Sequence, residues 1–243
     1  MVEVYLLYDY DPRIKFSPEA LQLANSLGKT VEGKVLVGGS PPTEPLDQTV
    51  CVEGRIRELK KYTRAEIWCF PGDESQVTPI ADGMLVPCVY NALNRELFDL
   101  RQIAFEAKYG ADLRAKWGKD KIEYSFYPIL NQSASAFKGR CREVTHEEVV
   151  NAMRFWYHRG YTSFDRFYLE GGSGQEMAPL ELIRDCYNVF AKTRPDIFIY
   201  GGGMRTVDQI KPVREIGVRN FVFGNILQYS PNEMRVILED ALT

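Results

Sequence analysis

Residues Ile197–Ile210 read IFIYGGGMRTVDQI: four apolar residues, three consecutive glycines, then a stretch that reads as a helix. A glycine in ordered structure costs about 0.5–1 kcal/mol in chain entropy, so a triplet is expensive unless the backbone itself must lie against something. A strand that ends in bare backbone and turns directly into a helix raises the question of what is approached there.

Working outward from this unit, the same alternation recurs along the whole chain. Short runs rich in Val, Ile, Phe and Tyr predict strands at Val2–Tyr8, Lys34–Val37, Glu66–Phe70, Gly83–Pro87, Tyr124–Leu130, Arg166–Glu170, Ile197–Tyr200 and Phe221–Phe223. Amphipathic stretches predict helices opening at Ser17-Pro18-Glu19 and over Leu46–Lys61, Arg95–Lys116, Thr145–Arg159, Leu180–Thr193, Thr206–Ile216 and Pro231–Leu242. One helix is missing, because only PGDESQVTPIAD separates the third strand from the fourth. Eight strands, nearly all followed by helices, in 243 residues predict one α/β domain over residues 1–243, a (β/α)8 TIM barrel lacking the helix after strand 3. In such a barrel the site lies on the loops that follow the strands.

The totals narrow the function. With 26% charged residues and a formal charge of −3, the chain lacks the basic excess of a nucleic-acid binder. Its five cysteines form no CxxC pair and its two histidines lie far from metal-ligand spacing with them, which predicts reduced thiols in a cytoplasmic protein and no zinc site. No apolar run reaches the eighteen or so residues of a membrane span, and MVEVYLLYDYDP has no signal-peptide pattern. A lipid substrate would be met from the water side.

The loops after strands seven and eight of such barrels commonly bind phosphate through backbone N–H groups. Here they carry Gly201-Gly202-Gly203 and Gly224-Asn225. Two readings are open: glycines that admit a phosphate to the amides, or tight turns that need positive φ. Strand six ends in FYLEGGSGQ, placing Glu170 where barrel side chains point into the site. A carboxylate there could take the proton of a substrate hydroxyl as a carbon–oxygen bond forms. Alternatively, it is a buried acid paired with a base such as Arg205.

Taken together, VLVGGS (35–40), FPGDESQVTPIADGMLVPCVYNALN (70–94), Gln102, YLEGGSG (168–174), GGGMRT (201–206) and the final GN (224–225) resemble the geranylgeranylglyceryl phosphate synthases and their bacterial relatives, the heptaprenylglyceryl phosphate synthases. That family has YLEAGSG, GGGIRS and GN at the corresponding places, in the same order. The resemblance covers almost the whole chain, and the missing third helix agrees with the family's modified barrel. It implies a prenyltransferase that joins a polyprenyl group, expected to be geranylgeranyl, from its diphosphate to the 3-hydroxyl of sn-glycerol 1-phosphate with Mg²⁺.

Glu170, by its place at the end of strand six, is the candidate catalytic base for that transfer. Carried over residue by residue, the resemblance places glycerol phosphate on Tyr168, Leu169, Glu170, Gly171, Gly172, Ser173, Gly174, Gly202, Gly203, Gly224 and Asn225, and Mg²⁺ on Asp11 and Ser40. One carboxylate and one hydroxyl suit a hard cation that must also bind phosphate oxygens. Asp9 is a second acid beside Asp11. An allylic cation is stabilised by aromatic faces, and Tyr5, Tyr8, Tyr124, Phe126 and Tyr127 are candidates, or else core. Leu97 and Leu100 stand where relatives often have Trp and Gly; three apart on a helix, they would share a face and narrow a prenyl groove. Lys138, Arg140 and Arg142 either clamp the diphosphate or form a solvated loop. Relatives form dimers or hexamers, so a homo-oligomer with peripheral membrane contact is expected. Rival readings are a prenyltransferase with another three-carbon acceptor such as 3-phosphoglycerate or another prenyl length, a sugar-phosphate isomerase or lyase, and a barrel that binds a phosphorylated ligand without turnover.

Overall fold

The computed structural model describes residues 2–29, 31–39, 46–98, 100–130, 140–158, 164–172 and 176–241. Eight parallel strands close into a barrel in sequence order: β1 (Glu3–Asp9), β2 (Glu32–Gly39), β3 (Ile67–Pro71), β4 (Gly83–Val89), β5 (Ile122–Tyr127), β6 (Arg166–Glu170), β7 (Phe198–Gly201) and β8 (Asn220–Phe223). β8 pairs with β1 through Glu3 opposite Asn220 and Leu6 opposite Phe223, which closes the ring. The barrel expected from the βα alternation is therefore the fold.

Strand alternation sorts side chains into two cores. Tyr5, Leu36, Trp68, Phe70, Leu85, Tyr127, Tyr168, Ile199 and Val222 fill the barrel interior. Val4, Leu6, Tyr8, Tyr124, Phe126, Leu169 and Tyr200 lie in the layer between the barrel and the helices. This corrects part of the aromatic reading. Tyr8, whose hydroxyl donates to the Ala20 carbonyl (2.6 Å), and Tyr124 and Phe126 face the helices and are core, while Tyr127 faces inward.

The helices are α1 (Pro18–Leu23), α2 (Gln48–Leu59), α3 (Arg101–Phe105), α4 (Ala111–Trp117), α5 (His146–His158), α6 (Leu180–Asn188), α7 (Val207–Ile216), α8 (Asn225–Tyr229) and α9 (Pro231–Val236). Ser17 caps α1 by accepting the Ala20 N–H, and Pro18 occupies its first turn, as their types predict. Between β3 and β4 there is one 3₁₀ turn, Glu74–Gln76, and no full helix. The chain after β4 leans into the gap: the Tyr109 hydroxyl donates to the Glu74 carbonyl (3.2 Å) and Lys108 pairs with Glu74 (2.5 Å).

The expected continuous helix over Arg95–Lys116 is not formed, which is a second correction. A 3₁₀ turn at Arg95–Leu97, a break at Phe98 (φ −123°, ψ −94°), α3, a wider π-type turn at Glu106–Gly110 and α4 follow one another. Nothing between 95 and 109 is a proline or glycine, so helix propensity gives no warning. Packing breaks the helix: Phe98 turns into an aromatic cluster with Tyr90, Phe126, Trp156 and Phe164, at ring separations of 5.4–6.1 Å. Leu97 and Leu100 therefore share no helical face. Leu97 lines the barrel-mouth cavity, whereas Leu100 is 44% exposed.

Candidate active site

At the carboxyl ends of the strands a cavity of about 400 Å³ opens, its wall including Leu7 and Asp9 of β1, Phe16, Phe70, Leu97, Tyr127, Ile129, Arg140 and Glu170. A smaller pocket of about 40 Å³ lies beside it, under the β7–α7 and β8–α8 loops, and contains Gly202, Gly203, Met204 and Arg205. Both cavities share Leu7, Glu170, Gly224 and Asn225, so Glu170 stands at their junction.

The glycine triplet has three separate causes. A Cβ on Gly201 would lie 2.4 Å from the Tyr168 hydroxyl. Gly202 has φ +90°, and a Cβ there would meet the Glu170 Oε1 and the Gly172 N at 2.5 Å. Gly203 has φ +75°, and a Cβ there would lie 2.5 Å from the Met177 backbone N. Of the two readings left open by the sequence, the positive-φ turn holds at 202 and 203, and the close approach there is first to the protein's own β6 loop. Gly224 differs: its φ is −117° and a Cβ would find nothing nearer than 3.8 Å. No packing demands this glycine, and the space beside it belongs to the two cavities. α7 opens behind the triplet with a capping box between Thr206 and Gln209.

Glu170 is 5% exposed. Its Oε2 accepts from the Tyr168 hydroxyl (2.7 Å) and the Tyr127 hydroxyl (3.2 Å), and its Oε1 from the Gly172 N–H (2.8 Å). Arg205 is not its partner: the described contacts of Glu170 are all neutral. Burial raises the carboxyl above its usual range, against the lowering effect of the three donors. Three of about four acceptor positions are used, which leaves capacity for one more proton. Tyr200 steadies this corner, accepting the Ala178 N–H (3.0 Å) and donating to the Gly202 carbonyl (3.2 Å). Sequence reading offered Tyr127 only as an aromatic face, not as a donor to Glu170, and missed Tyr200, since a tyrosine on a strand carries no mark of the face it uses.

Of the other predicted acceptor-site residues, Tyr168, Gly202, Gly203, Gly224 and Asn225 surround the smaller pocket, with Gly171 and Gly172 continuing from Glu170. Leu169 points the other way, fully buried in the helix layer, so only its backbone faces this region. Ser173, Gly174, Ser40 and Lys138 lie outside the described residues. Arg140 lines the large cavity, while Arg142 turns to Glu148 (2.9 Å).

The two acids at the carboxyl end of β1, Asp9 on the strand and Asp11 just beyond it, separate clearly. Asp11 is held by Arg13 in a fork (2.9 and 3.0 Å from Nε, 2.6 Å from Nη2), which lowers its pKa. Asp9 lines the cavity, accepts the Asp11 N–H (2.8 Å), and is raised by burial. Arg55, which packs nearby, bonds to the Asp9 backbone carbonyl (2.9 Å) and leaves the carboxylate without a cation. Among the described residues no group of three or more His, Cys, Asp or Glu could by itself hold a metal. A magnesium ion that keeps its waters and binds phosphate needs only one or two protein oxygens. Asp9, at the cavity wall and outside any ion pair, fits that requirement, whereas Asp11 is already held by Arg13.

No family model matches the chain. It is 24% identical over 222 residues to a geranylgeranylglyceryl phosphate synthase of Nitrosopumilus maritimus, covering 90% of this chain and 82% of that one. It is 27% identical over 197 residues to another of Zunongwangia profunda, covering 80% and 78%. Among solved structures, that of (S)-3-O-geranylgeranylglyceryl phosphate synthase from Thermoplasma acidophilum in complex with sn-glycerol-1-phosphate superposes with a TM-score of 0.76 at 21% identity, covering 99% of this chain and 91% of that one. Among the described residues no helix is long and apolar enough to cross a membrane. The motifs, their order and the barrel thus agree with one another, and the chain resembles the geranylgeranylglyceryl phosphate synthases along nearly its entire length.

Proposed function

We propose that the protein is a prenyltransferase that joins a polyprenyl group, geranylgeranyl in the first instance, from its diphosphate to the 3-hydroxyl of sn-glycerol 1-phosphate. The observation that carries this reading is the position of Glu170 between a small glycine-walled pocket and a larger, partly apolar cavity. The small pocket takes the phosphate of the acceptor, with Gly224 leaving its side open and Gly202 and Gly203 shaping the floor. The acceptor hydroxyl then lies at Glu170, and the prenyl chain occupies the cavity along Ile14, Phe16, Leu97 and Ile129.

The hydroxyl oxygen attacks C1 of the prenyl group as the C1–O bond to diphosphate breaks, and the hydroxyl proton passes to Glu170. Tyr168 and Tyr127 hold the carboxylate in place and stabilise its charged form. Burial makes it a stronger base than a solvated carboxylate. Tyr127 also offers its ring to positive charge developing in the cavity, which its neighbours Phe70 and Tyr168 keep dry. Asp9, with Ser40 beyond Gly39, would hold Mg²⁺, which neutralises the charge of the departing diphosphate when bound.

Incubation with labelled glycerol 1-phosphate and a panel of prenyl diphosphates, followed by lipid extraction, tests this reading. A labelled, phosphatase-sensitive ether lipid is expected. Failure of every donor to yield one, or transfer to 3-phosphoglycerate in preference, overturns the reading of donor or acceptor respectively.

A further inference from the structure

Arg101, the first residue of α3, is 4% exposed and forms part of the mouth-cavity wall near Gly72 and Leu97. Its Nη2 donates to the Pro71 carbonyl at the end of β3 (2.6 Å), and the Phe105 ring lies 5.1 Å from its guanidinium carbon. Its buried Nε has no hydrogen-bond partner. Two acids, Asp73 and Glu74, act on it only from a distance. Glu74 is committed to Lys108 (2.5 Å) and Asp73 to the Ser75 hydroxyl (2.7 Å) and N–H (2.9 Å), so neither neutralises the guanidinium.

A buried guanidinium with an orphaned N–H and no counter-charge is costly, and one carbonyl does not repay it. The remaining donors lie at a cavity wall, and a planar guanidinium fork matches a pair of phosphate oxygens. Two anionic groups take part in the proposed reaction. The glycine pocket under the β7 and β8 loops accounts for the acceptor's phosphate, and β3, whose end Arg101 grips, lies diametrically across the eight-stranded barrel from β7. Asp9, on β1, lies midway between them, two strands from β3 and two from β7, and lines the same cavity as Arg101.

We propose that Arg101 recognises the diphosphate of the prenyl donor, with its unused N–H groups binding the phosphate oxygens that take up the electron pair of the breaking C1–O bond. The inference rests on the prenyltransferase reading for the identity of the donor, but its site is tested separately. Calorimetric titration of the intact protein with inorganic pyrophosphate, and independently with glycerol 1-phosphate, is compared for wild type, Arg101→Met and Arg101→Lys, with thermal unfolding of each. Arg101→Met is expected to weaken pyrophosphate at least about tenfold, since a charge-assisted bidentate contact is lost, to leave glycerol 1-phosphate within about twofold, and to unfold no earlier than wild type because a buried unpaired charge is gone. Arg101→Lys keeps the charge without the fork and is expected to fall between the two. Wild type that does not bind pyrophosphate overturns the proposal. So does Arg101→Met with wild-type pyrophosphate affinity, or a loss shared equally by both ligands with a lowered Tm, which would make Arg101 a strut for β3. Should the methionine variant not fold, the lysine variant decides by the same comparison of the two ligands. A selective loss of pyrophosphate in a protein that forms no ether product would retain the Arg101 site and remove the transferase reading.

Discussion

The two ends of the barrel interior treat charge in opposite ways. At the amino end Glu3, Lys34, Glu123 and Arg166 project inward from β1, β2, β5 and β6 and pair with one another. Arg166 holds Glu123 (2.9 Å) and lies 3.6 Å from Glu3, and Lys34 lies 3.4 Å from Glu3 and 3.6 Å from Glu123 while resting on the Trp68 ring. At the carboxyl end Asp9 is half-buried and Glu170 and Arg101 are buried, and none of the three forms an ion pair among the described residues. Burial there disfavours the charged form of all three groups. Charges that satisfy one another hold a fold together, whereas charges left uncompensated are available to a substrate, and barrels place the two at opposite ends.

Glu170→Gln should break the functional end most severely. Prenyl transfer is expected to slow by about 10²–10⁴, the usual worth of a general base, while glycerol phosphate affinity changes little. Unchanged turnover in the ether-lipid assay would remove Glu170 from the mechanism. The same variant sharpens the comparison through stability. The folded pKa of Glu170 is raised by burial, so its favourable contribution is full below the unfolded carboxylate pKa and is lost as pH rises through the folded value. Glu170→Gln should therefore have a higher Tm than wild type at neutral pH, and the gap should close as pH falls into the ordinary carboxylate range.

Asp9 and Asp11 test the contrast within one loop. Asp9→Asn is expected to lower magnesium-stimulated transfer by about 10² or more, whereas Asp11→Asn, losing only a surface fork to Arg13, should stay within a few-fold. The reverse order would return the metal to Asp11, where the family resemblance places it.

Arg166→Met probes the amino end. Removing one member of the paired network leaves Glu3 and Glu123 sharing Lys34 alone, and should cost on the order of 3 kcal/mol of stability in denaturant titration. The Michaelis constants for both substrates should move less than about twofold. A stable variant with altered substrate binding would show that the ends are not independent. The smallest effect belongs to Gly224→Ala, whose new methyl enters open space. Glycerol phosphate should bind about tenfold less well, as when one well-placed contact of about 1.4 kcal/mol is lost, with Tm nearly unchanged. Gly202→Ala, which would drive a Cβ against Glu170 at positive φ, should instead unfold early.

The period of apolar residues, the run of strand and helix signals and the short PGDESQVTPIAD link were enough for the barrel and its missing helix, because hydrophobic alternation is a local property that the tertiary fold merely repeats eight times. Glu170 and both glycine loops were legible for the same reason: each sits at the end of a recognisable strand, where the topology of a barrel brings all such ends together. What only the tertiary structure decided depends on neighbours distant in sequence. Phe98 breaks a stretch with helical propensity because Phe126, Trp156 and Phe164 gather it into their cluster. Asp9 rather than Asp11 meets the cavity because Arg13 captures one of two acids that sequence treats alike. Arg101 falls within the predicted helix Arg95–Lys116 with nothing in the pattern to mark it, and it is a buried cation because α3 sets it against the Pro71 carbonyl at the end of β3. Periodicity specifies which face a residue takes, but whether a charge is satisfied is settled by what the fold packs beside it.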